Sequence, residues 1–525
     1  MVRHDVQPVR QMTHQQQLRE QLFSGHGAAA GDLKKSSVRS GAITVVAQGL
    51  RFVLQTGAIM VLARLLSDED YGVQAMVLAV TGVCNLFKDG GLSMATVQRE
   101  KITHEQTSSL FWVNVVIGIV LMIALAALAP ALAWYNKEPR VFWAIVVSSS
   151  GFFFSGLGVQ HQALLQRFMR FKAIALIDIC VLVVSSGAAI VMAKLGCRYW
   201  ALVAQAVLIP LVGSVGAWLA VRWVPGLPKR GAGVKSMLQF GGTSSLNNII
   251  VYLAYYSADK LIIGRMGTAL LGLYNRASSL ISLPTMQLQS AIFNVAFSAL
   301  SKLQGDPGRL SKAFLRGMAV VVSMTLPLMV VCSIYPSEVV TILLGKKWVD
   351  CAPIFQMLAP AQIVVSVMNP MGWLLYATGR AKRSLFMAFV IAPVVVAGMW
   401  IGRAWGPIGV AIGYSIAMGA LLFPLTTWAI HGTGIGVRDF WRTLGVPAIA
   451  AGAAALAGLG FKHLGGDKLP TLAFLILGSA VVIVVFAVVL LFVLGQRAFY
   501  TDLMGQILHR KPKSDSTVQP ESTPA

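Results

Sequence analysis

Charge is scarce in this chain. Of 525 residues, Asp, Glu, Lys and Arg together make up 12%, about half the roughly 25% of a soluble domain. Acid is scarcer still, with 20 Asp and Glu against 43 Lys and Arg. No G-x-x-x-x-G-K-[ST] phosphate loop occurs, nor any polar stretch long enough to house a nucleotide-hydrolysing or other soluble catalytic domain, which excludes a built-in ATPase. Cysteine is limited to Cys84, Cys180, Cys197, Cys332 and Cys351, scattered and mostly in apolar runs. Without a C-x-x-C pair or a ligand cluster they read as packing residues, and no metal site or other cofactor is expected. The polar start, MVRHDVQPVRQMTHQQQLREQLFSGHG, lacks the short apolar core of a signal peptide, so it is expected to stay on the cytoplasmic side.

What the chain has instead is apolar length. Hydrophobic residues make up 56% of it and the mean hydropathy is +0.70, which describes a polytopic membrane protein. An α-helix rises about 1.5 Å per residue and a hydrocarbon core of about 30 Å needs about 20 residues. On that measure the sequence holds about fourteen spans, an all-α architecture. The net charge of +23 invites a nucleic-acid reading. Its placement argues otherwise, because the larger share of Lys and Arg falls in the N-terminal tail and in alternate loops, as the positive-inside rule requires of cytoplasmic segments. Both termini are then cytoplasmic, and the charge records topology and contact with membrane lipids.

The chain is organised around residues 41–101, where an apolar span, a short charged turn and a second apolar span follow one another. Arg51 lies ten positions past Gly41, roughly 15 Å into the first span on the helical rise. A cation at that depth costs on the order of 3 kcal/mol on insertion scales and normally faces a bundle interior or a wet cavity. Thr44, Gln48, Arg51 and Gln55 share one helical face, and Gln74, Thr81, Asn85 and Lys88 do the same in the second span. Two adjacent helices therefore each offer a polar stripe.

Residues 1–40 read as a disordered tail and 41–224 as an N-terminal lobe of six helices. Residues 225–235, with two prolines and three glycines, form a linker. Beyond it the opening pattern returns over 236–430, a second six-helix lobe; 431–496 adds two further helices and 497–525 a cytoplasmic tail. Ser245, Asn248, Tyr252, Tyr255, Tyr256 and Asp259 form a polar stripe, and 264–274 echoes the turn around 64–72, with Arg64 matching Arg265 at an offset of 201. Repeated halves suggest two lobes around a central path. Trp134 and Tyr135 suit an interfacial aromatic anchor. Asn369, Pro370 and Gly372 are expected to interrupt the tenth span and kink it.

The run LARLLSDEDYGVQAM followed by LFKDGGLSMATVQREKITHEQTSSLFWVN resembles the polysaccharide flippases of the multidrug/oligosaccharidyl-lipid/polysaccharide exporter superfamily, in the branch of the colanic-acid exporter. The matching residues are Leu62, Arg64, Leu66, Asp70, Tyr71 and Gly72, then Asp89, Gly91, Leu92, Ala95, Val97, Gln98 and Arg99. The resemblance implies a non-enzymatic transporter of the bacterial inner membrane. It would move a polyprenyl-diphosphate-linked oligosaccharide by alternating access around a cationic cavity, in company with a polysaccharide polymerase and export machinery.

Such a substrate needs cations for its diphosphate and hydrogen-bonding groups for its sugars. Arg51, Lys260, Arg265 and Arg276 are the cationic candidates, with Gln48, Gln55, Asn85, Asn248, Tyr252, Tyr255 and Tyr256 lining the path. Each cation has a structural alternative. Arg64 and Arg265 could cap helix carbonyls, and Lys260 could pair with adjacent Asp259. Asp89, Asp178, Asp259 and His161 are the candidates for proton or sodium coupling; Asp178 could equally pair with a structural cation, and His161 could be an interfacial residue. Two competing functions stay open: a membrane-embedded polymerase, ligase or glycosyltransferase acting on the same lipid-linked glycan, and a drug or cation antiporter, for which a cationic lumen has the wrong sign.

Overall fold

The computed structural model describes residues 30–88, 93, 96, 102–168, 170–228, 258–302, 306–465 and 469–508. Its first group of helices is α1 (Ala30–Leu65), α2 (Asp68–Phe87), α3 (His104–Asn136), α4 (Arg140–Arg167), α5 (Phe171–Lys194) and α6 (Trp200–Val221). The second comprises α7 (Ala258–Gly264), α8 (Thr268–Lys302), α9 (Pro307–Ile334), α10 (Pro336–Leu343), α11 (Ala352–Ala377), α12 (Ala381–Gly402) and α13 (Gly406–Ile430). Two more, α14 (Val437–Gly465) and α15 (Thr471–Val488), pack onto α9, and α16 (Arg497–Leu508) follows. Among the described residues ten stretches are long and apolar enough to cross a bilayer, one of them, Lys382–Ile430, holding both α12 and α13. The chain is an all-α, multi-pass membrane protein. Helices stand for every expected span except the seventh, 236–258, nearly all of which lies outside the described residues.

Helix ends follow local chemistry. Ser67 caps α2 through a reciprocal box with Asp70, whose carboxylate accepts from the Ser67 backbone N–H at 3.0 Å, and Thr103 with Gln106 does the same for α3. At the other end of α3, Lys137 takes a left-handed φ of 54° and its N–H reaches the carbonyls of Ala133 and Trp134. Three differences from the sequence reading stand out. The first helix begins at Ala30, inside the stretch expected to be tail, and α16 occupies part of the expected C-terminal tail. Helix α11 runs unbroken through Pro360 and Pro370. Its Asn369 amide donates to the Gln289 side-chain oxygen at 2.5 Å, tying α11 to α8 beside the proline.

The two groups meet through α2, which packs against α7 and α8. At the crossing a Cβ on Gly72 would lie 1.9 Å from the Thr268 carbonyl oxygen, and one on Gly272 would lie 1.8 Å from that of Asp68. Only glycine fits either place. The two contacts are the same contact made twice, and they put the repeat in register at 68 with 268 and 72 with 272. The offset of 201 through Arg64 and Arg265 is therefore one residue out. Near the crossing, the second group also serves the carbonyls left open at the end of α1. Lys347 Nζ donates to Arg64 O at 3.1 Å and Leu66 O at 2.6 Å, and Trp348 Nε1 donates to Ala63 O at 2.8 Å. In return Arg64 donates to Ile342 O at 3.2 Å, in the last turn of α10. Arg64 is thus a helix cap, as one sequence reading had it, but the helix belongs to the other group.

Trp348 is buried and packs edge-on against Tyr71, with ring centroids 5.4 Å apart. Trp348→Ala should destabilise the protein by about 3–5 kcal/mol through the cavity it leaves. A thermal-unfolding midpoint indistinguishable from wild type in the same detergent would contradict that packing role.

Candidate functional site

A cavity of about 710 Å³ lies between the two groups. Its lining runs along α2 from Tyr71, in the first turn, to Lys88 at the C-cap, and takes in α1, α4, α5, α6, α7 and α8. Seventeen residues of helix separate those two positions, about 25 Å on the helical rise, so the cavity follows most of a bilayer-spanning length. Next to the Tyr71 end the lobes are held together by the glycine crossing and the reciprocal caps.

The cations are placed by these helices in two distinct ways. Arg51 on α1 donates to the Asp178 carboxylate on α5 at 3.1 Å, and both side chains keep nearly half their surface exposed, 47% and 45%. This pair is therefore open to the cavity rather than packed into the core. Lys260 on α7 is the buried counterpart: its Nζ lies 3.4 Å from Asp259, and both side chains are largely enclosed. Arg276 on α8 has no carboxylate partner among the described residues. Its guanidinium carbon sits 4.0 Å from the centre of the Tyr71 ring, a cation–π contact that holds the charge without neutralising it. Four buried polar atoms of residues lining the cavity have no hydrogen-bond partner among the described residues: Arg276 Nε, the Gln74 side-chain oxygen, the Asn275 side-chain nitrogen and Ser185 Oγ. Buried polar groups are normally satisfied, so these atoms are donors and acceptors available to a polar guest or to water.

Of the residues singled out in sequence, Arg51, Gln55, Lys260, Arg276 and Asp178 line this one cavity. Gln48 lines a side crevice of about 110 Å³ that it shares with Arg51 and Asp178. Asn85 is off the lining: its amide donates to Thr81 O one turn back, at 3.0 Å. Arg265 is off it too, lying 5.1 Å over the Tyr135 ring in a separate cleft, immediately past the end of α7 at Gly264. His161 does not line the cavity either. It stacks on Trp218 at 4.2 Å and its Nε2 lies 3.0 Å from the Trp223 carbonyl, the environment of a core side chain. Asn248, Tyr252, Tyr255, Tyr256 and Asp89 lie outside the described residues.

The sequence reading left most of the neutral lining unassigned. Serines from four helices, among them Ser155, Ser185, Ser214 and Ser278, form much of the wall, with Gln162 and Gln205 beside them. Gln205 donates to Ser186 at 3.1 Å. The signal was the Ser-Ser pairs inside apolar spans at 185–186 and 278–279, which hydropathy alone scores as neutral. The result is a cavity with four cationic residues, Arg51, Lys88, Lys260 and Arg276, against one lining carboxylate, Asp178, and with hydroxyl and amide walls. It suits a guest that is anionic at one point and rich in hydroxyls elsewhere.

The comparisons with known proteins point the same way. A family profile described as polysaccharide biosynthesis protein matches residues 61–353. The lipopolysaccharide biosynthesis protein WzxC of Escherichia coli is 29% identical over 381 residues, covering 71% of this chain and 75% of that protein. The succinoglycan biosynthesis transport protein ExoT of Rhizobium meliloti is 23% identical over 470 residues, covering 89% and 94%. Among solved structures, the lipid II flippase MurJ in an inward closed conformation superposes with a TM-score of 0.70 at 15% identity, over 88% of this chain and 100% of that one. At that identity the likeness shows a shared fold.

Proposed function

The chain belongs to the polysaccharide biosynthesis protein family, and from that premise we propose that it is a flippase carrying a polyprenyl-diphosphate-linked oligosaccharide from the cytoplasmic to the periplasmic leaflet of a bacterial inner membrane. It is a transporter rather than an enzyme, in keeping with relatives named for polysaccharide biosynthesis and transport. The observation that carries the substrate class is the cavity itself, where an unneutralised Arg276 sits among unpartnered amide groups and serine hydroxyls. A guanidinium binds a diphosphate through charge-assisted hydrogen bonds, and serines and amides receive sugar hydroxyls. A drug-cation antiporter would place carboxylates where this cavity places cations.

In this reading both termini are cytoplasmic and the end of the cavity at Tyr71 faces the periplasm, closed. The diphosphate enters from the cytoplasmic side and displaces Asp178 from Arg51, since the exposed pair has the least to lose. It then reaches Arg276, and separation of the lobes at the glycine crossing opens the far side. Proton or sodium movement, or consumption of the lipid on the periplasmic side, supplies direction; Asp178 and Asp259, each beside a cation, are the carboxylates in position to couple. No cofactor enters the scheme. A polymerase and export machinery would take up the product.

The test is a reconstituted leaflet-flipping assay with a fluorescent polyprenyl-diphosphate oligosaccharide, comparing wild type, Arg51→Ala and empty liposomes. An exposed ion pair contributes about 0–1 kcal/mol to stability, so the variant should insert and fold normally while moving the lipid several-fold more slowly. Equal rates at equal protein would remove Arg51 from the path, and no movement by folded wild type under any ion gradient would remove the substrate class.

A further inference from the structure

At the end of the molecule where the lobes touch lies a second concavity, of about 960 Å³, separate from the central cavity. It is formed by the α3–α4 turn of the first group and by Arg265 of the second. Four aromatic side chains line it: Trp134, Tyr135, Phe142 and Trp143. Trp134 is 82% and Trp143 59% exposed, so both indoles offer free faces, while Phe142 braces Trp143 edge-on at 4.9 Å.

The charges in the cleft are unequally matched. Glu138 is taken by Arg140, which donates to its two carboxylate oxygens at 2.8 and 2.9 Å and holds the carboxyl below the usual carboxylate range. Arg140 also reaches Glu69 at the start of α2, at 3.2 Å. Lys137 and Arg265 have no carboxylate partner among the described residues, and Arg265 rests on the face of Tyr135. Interfacial Trp and Tyr commonly anchor helices in the headgroup layer. An anchor needs neither a concavity nor two uncompensated cations at its rim, and this cleft has both, at a volume within the range of ligand pockets, about 300–1,000 Å³.

We propose that this cleft is an exit-side binding site for an acidic oligosaccharide, with sugar rings lying on Trp134 and Trp143 and a sugar carboxylate held between Lys137 and Arg265. The proposal rests on the transport reading, since it is the glycan emerging at the lobe junction that meets the cleft. It assigns the transported chain an acidic sugar, and it gives Arg265 a role outside the central cavity. Because Arg265 comes from one lobe and Lys137 from the other, the site is complete only while the lobes are joined at this end. Bound glycan therefore favours the joined state.

The experiment uses the full chain in phosphatidylcholine nanodiscs and two soluble probes, trigalacturonate and neutral maltotriose, with binding measured by calorimetry. Trigalacturonate should bind wild type at least ten-fold more tightly than maltotriose does. Lys137→Gln/Arg265→Gln should remove that preference, Arg265→Lys should keep most of it, and Trp143→Ala should weaken both sugars. Arg403→Gln, outside both the cleft and the central cavity, should leave all of this unchanged. Absence of trigalacturonate binding to wild type would overturn the proposal, as would binding lost in Arg276→Gln and kept in Lys137→Gln/Arg265→Gln. So would finding that the latter variant only loses retained phosphatidylglycerol from mixed-lipid discs, which would make the cleft a headgroup site. The two readings fail separately: leaflet movement without trigalacturonate binding sinks the exit site alone, and trigalacturonate binding without leaflet movement sinks the transport reading.

Discussion

Arg276→Gln is expected to slow leaflet movement of a polyprenyl-diphosphate oligosaccharide by about 10- to 100-fold, with the protein inserted and folded. The magnitude follows from the chemistry of the lost contact. A hydrogen bond to a charged group is worth about 1.5–3 kcal/mol, and each 1.4 kcal/mol is about a factor of ten in an equilibrium constant. Arg276 differs from Arg51 and Lys260 in having no carboxylate partner among the described residues. Losing Arg51 frees Asp178, and losing Lys260 strands Asp259, so those variants mix two effects. Losing the Arg276 charge leaves only Tyr71 without its cation, and Tyr71 stays packed on Trp348. Arg276→Lys should recover part of the rate, because charge returns without the planar fork that binds a phosphate bidentately. Arg276→Gln moving lipid as fast as wild type at equal reconstitution would show that the diphosphate does not pass this point.

The second large effect belongs to the crossing. Gly272→Val places a side chain where the Asp68 carbonyl already stands, 1.8 Å from the new Cβ. The obstacle is backbone, which cannot rotate aside as a flexible side chain would, so α2 and α8 must separate. The lobes should then rest apart at that end, and leaflet movement should fall to the level of empty liposomes. Accessibility provides the direct reading. With the five native cysteines replaced and Ser278→Cys placed in the cavity wall, a membrane-impermeant maleimide added from the periplasmic side should label Gly272→Val and not the parent. Gly419→Val on α13, where open space surrounds the position, should behave as the parent. Unchanged labelling in a folded Gly272→Val protein would mean that the crossing does not close this end.

The membrane makes part of this structure easy to read and hides the rest. Hydrocarbon demands long apolar helices, so the spans were visible in composition alone. The same demand makes Arg51 and Gln55 conspicuous, since a polar residue deep in such a span must face something wet. Periodicity did less for α2. Asn85 shares a face with Gln74 and Lys88 by spacing, yet its amide turns back to Thr81 O, a local bond that no pattern announces. Arg265 was misplaced for a different reason: its position depends on where α7 stops and how the two groups meet, which is a property of tertiary packing. The caps offered by Lys347 and Trp348 to α1 join residues more than 280 positions apart, beyond anything helix rules address. The serine wall was written in the sequence but looked inert, because a hydroxyl in a transmembrane helix usually bonds its own backbone. The glycines spaced by four at 398 and 402, and again at 409 and 413, are a plainer signal. They bring α12 and α13 into backbone contact, a Cβ on Gly402 falling 2.1 Å from the Gly409 oxygen.

At the crossing of α2 and α8, bare main chain lies on bare main chain. At Gly72 and Gly272 nothing interdigitates, so the side chains that must let go lie to either side, with Tyr71 leaving Arg276 and Trp348. The carbonyls uncovered as they separate are already bonded within their own helices, and incoming water can solvate what remains of them. A seam of this kind is smooth at its centre and fastened at its border: once the caps have exchanged their carbonyls for water and Tyr71 has left Arg276 and Trp348, the backbone contact itself offers no interlocking to hold the halves.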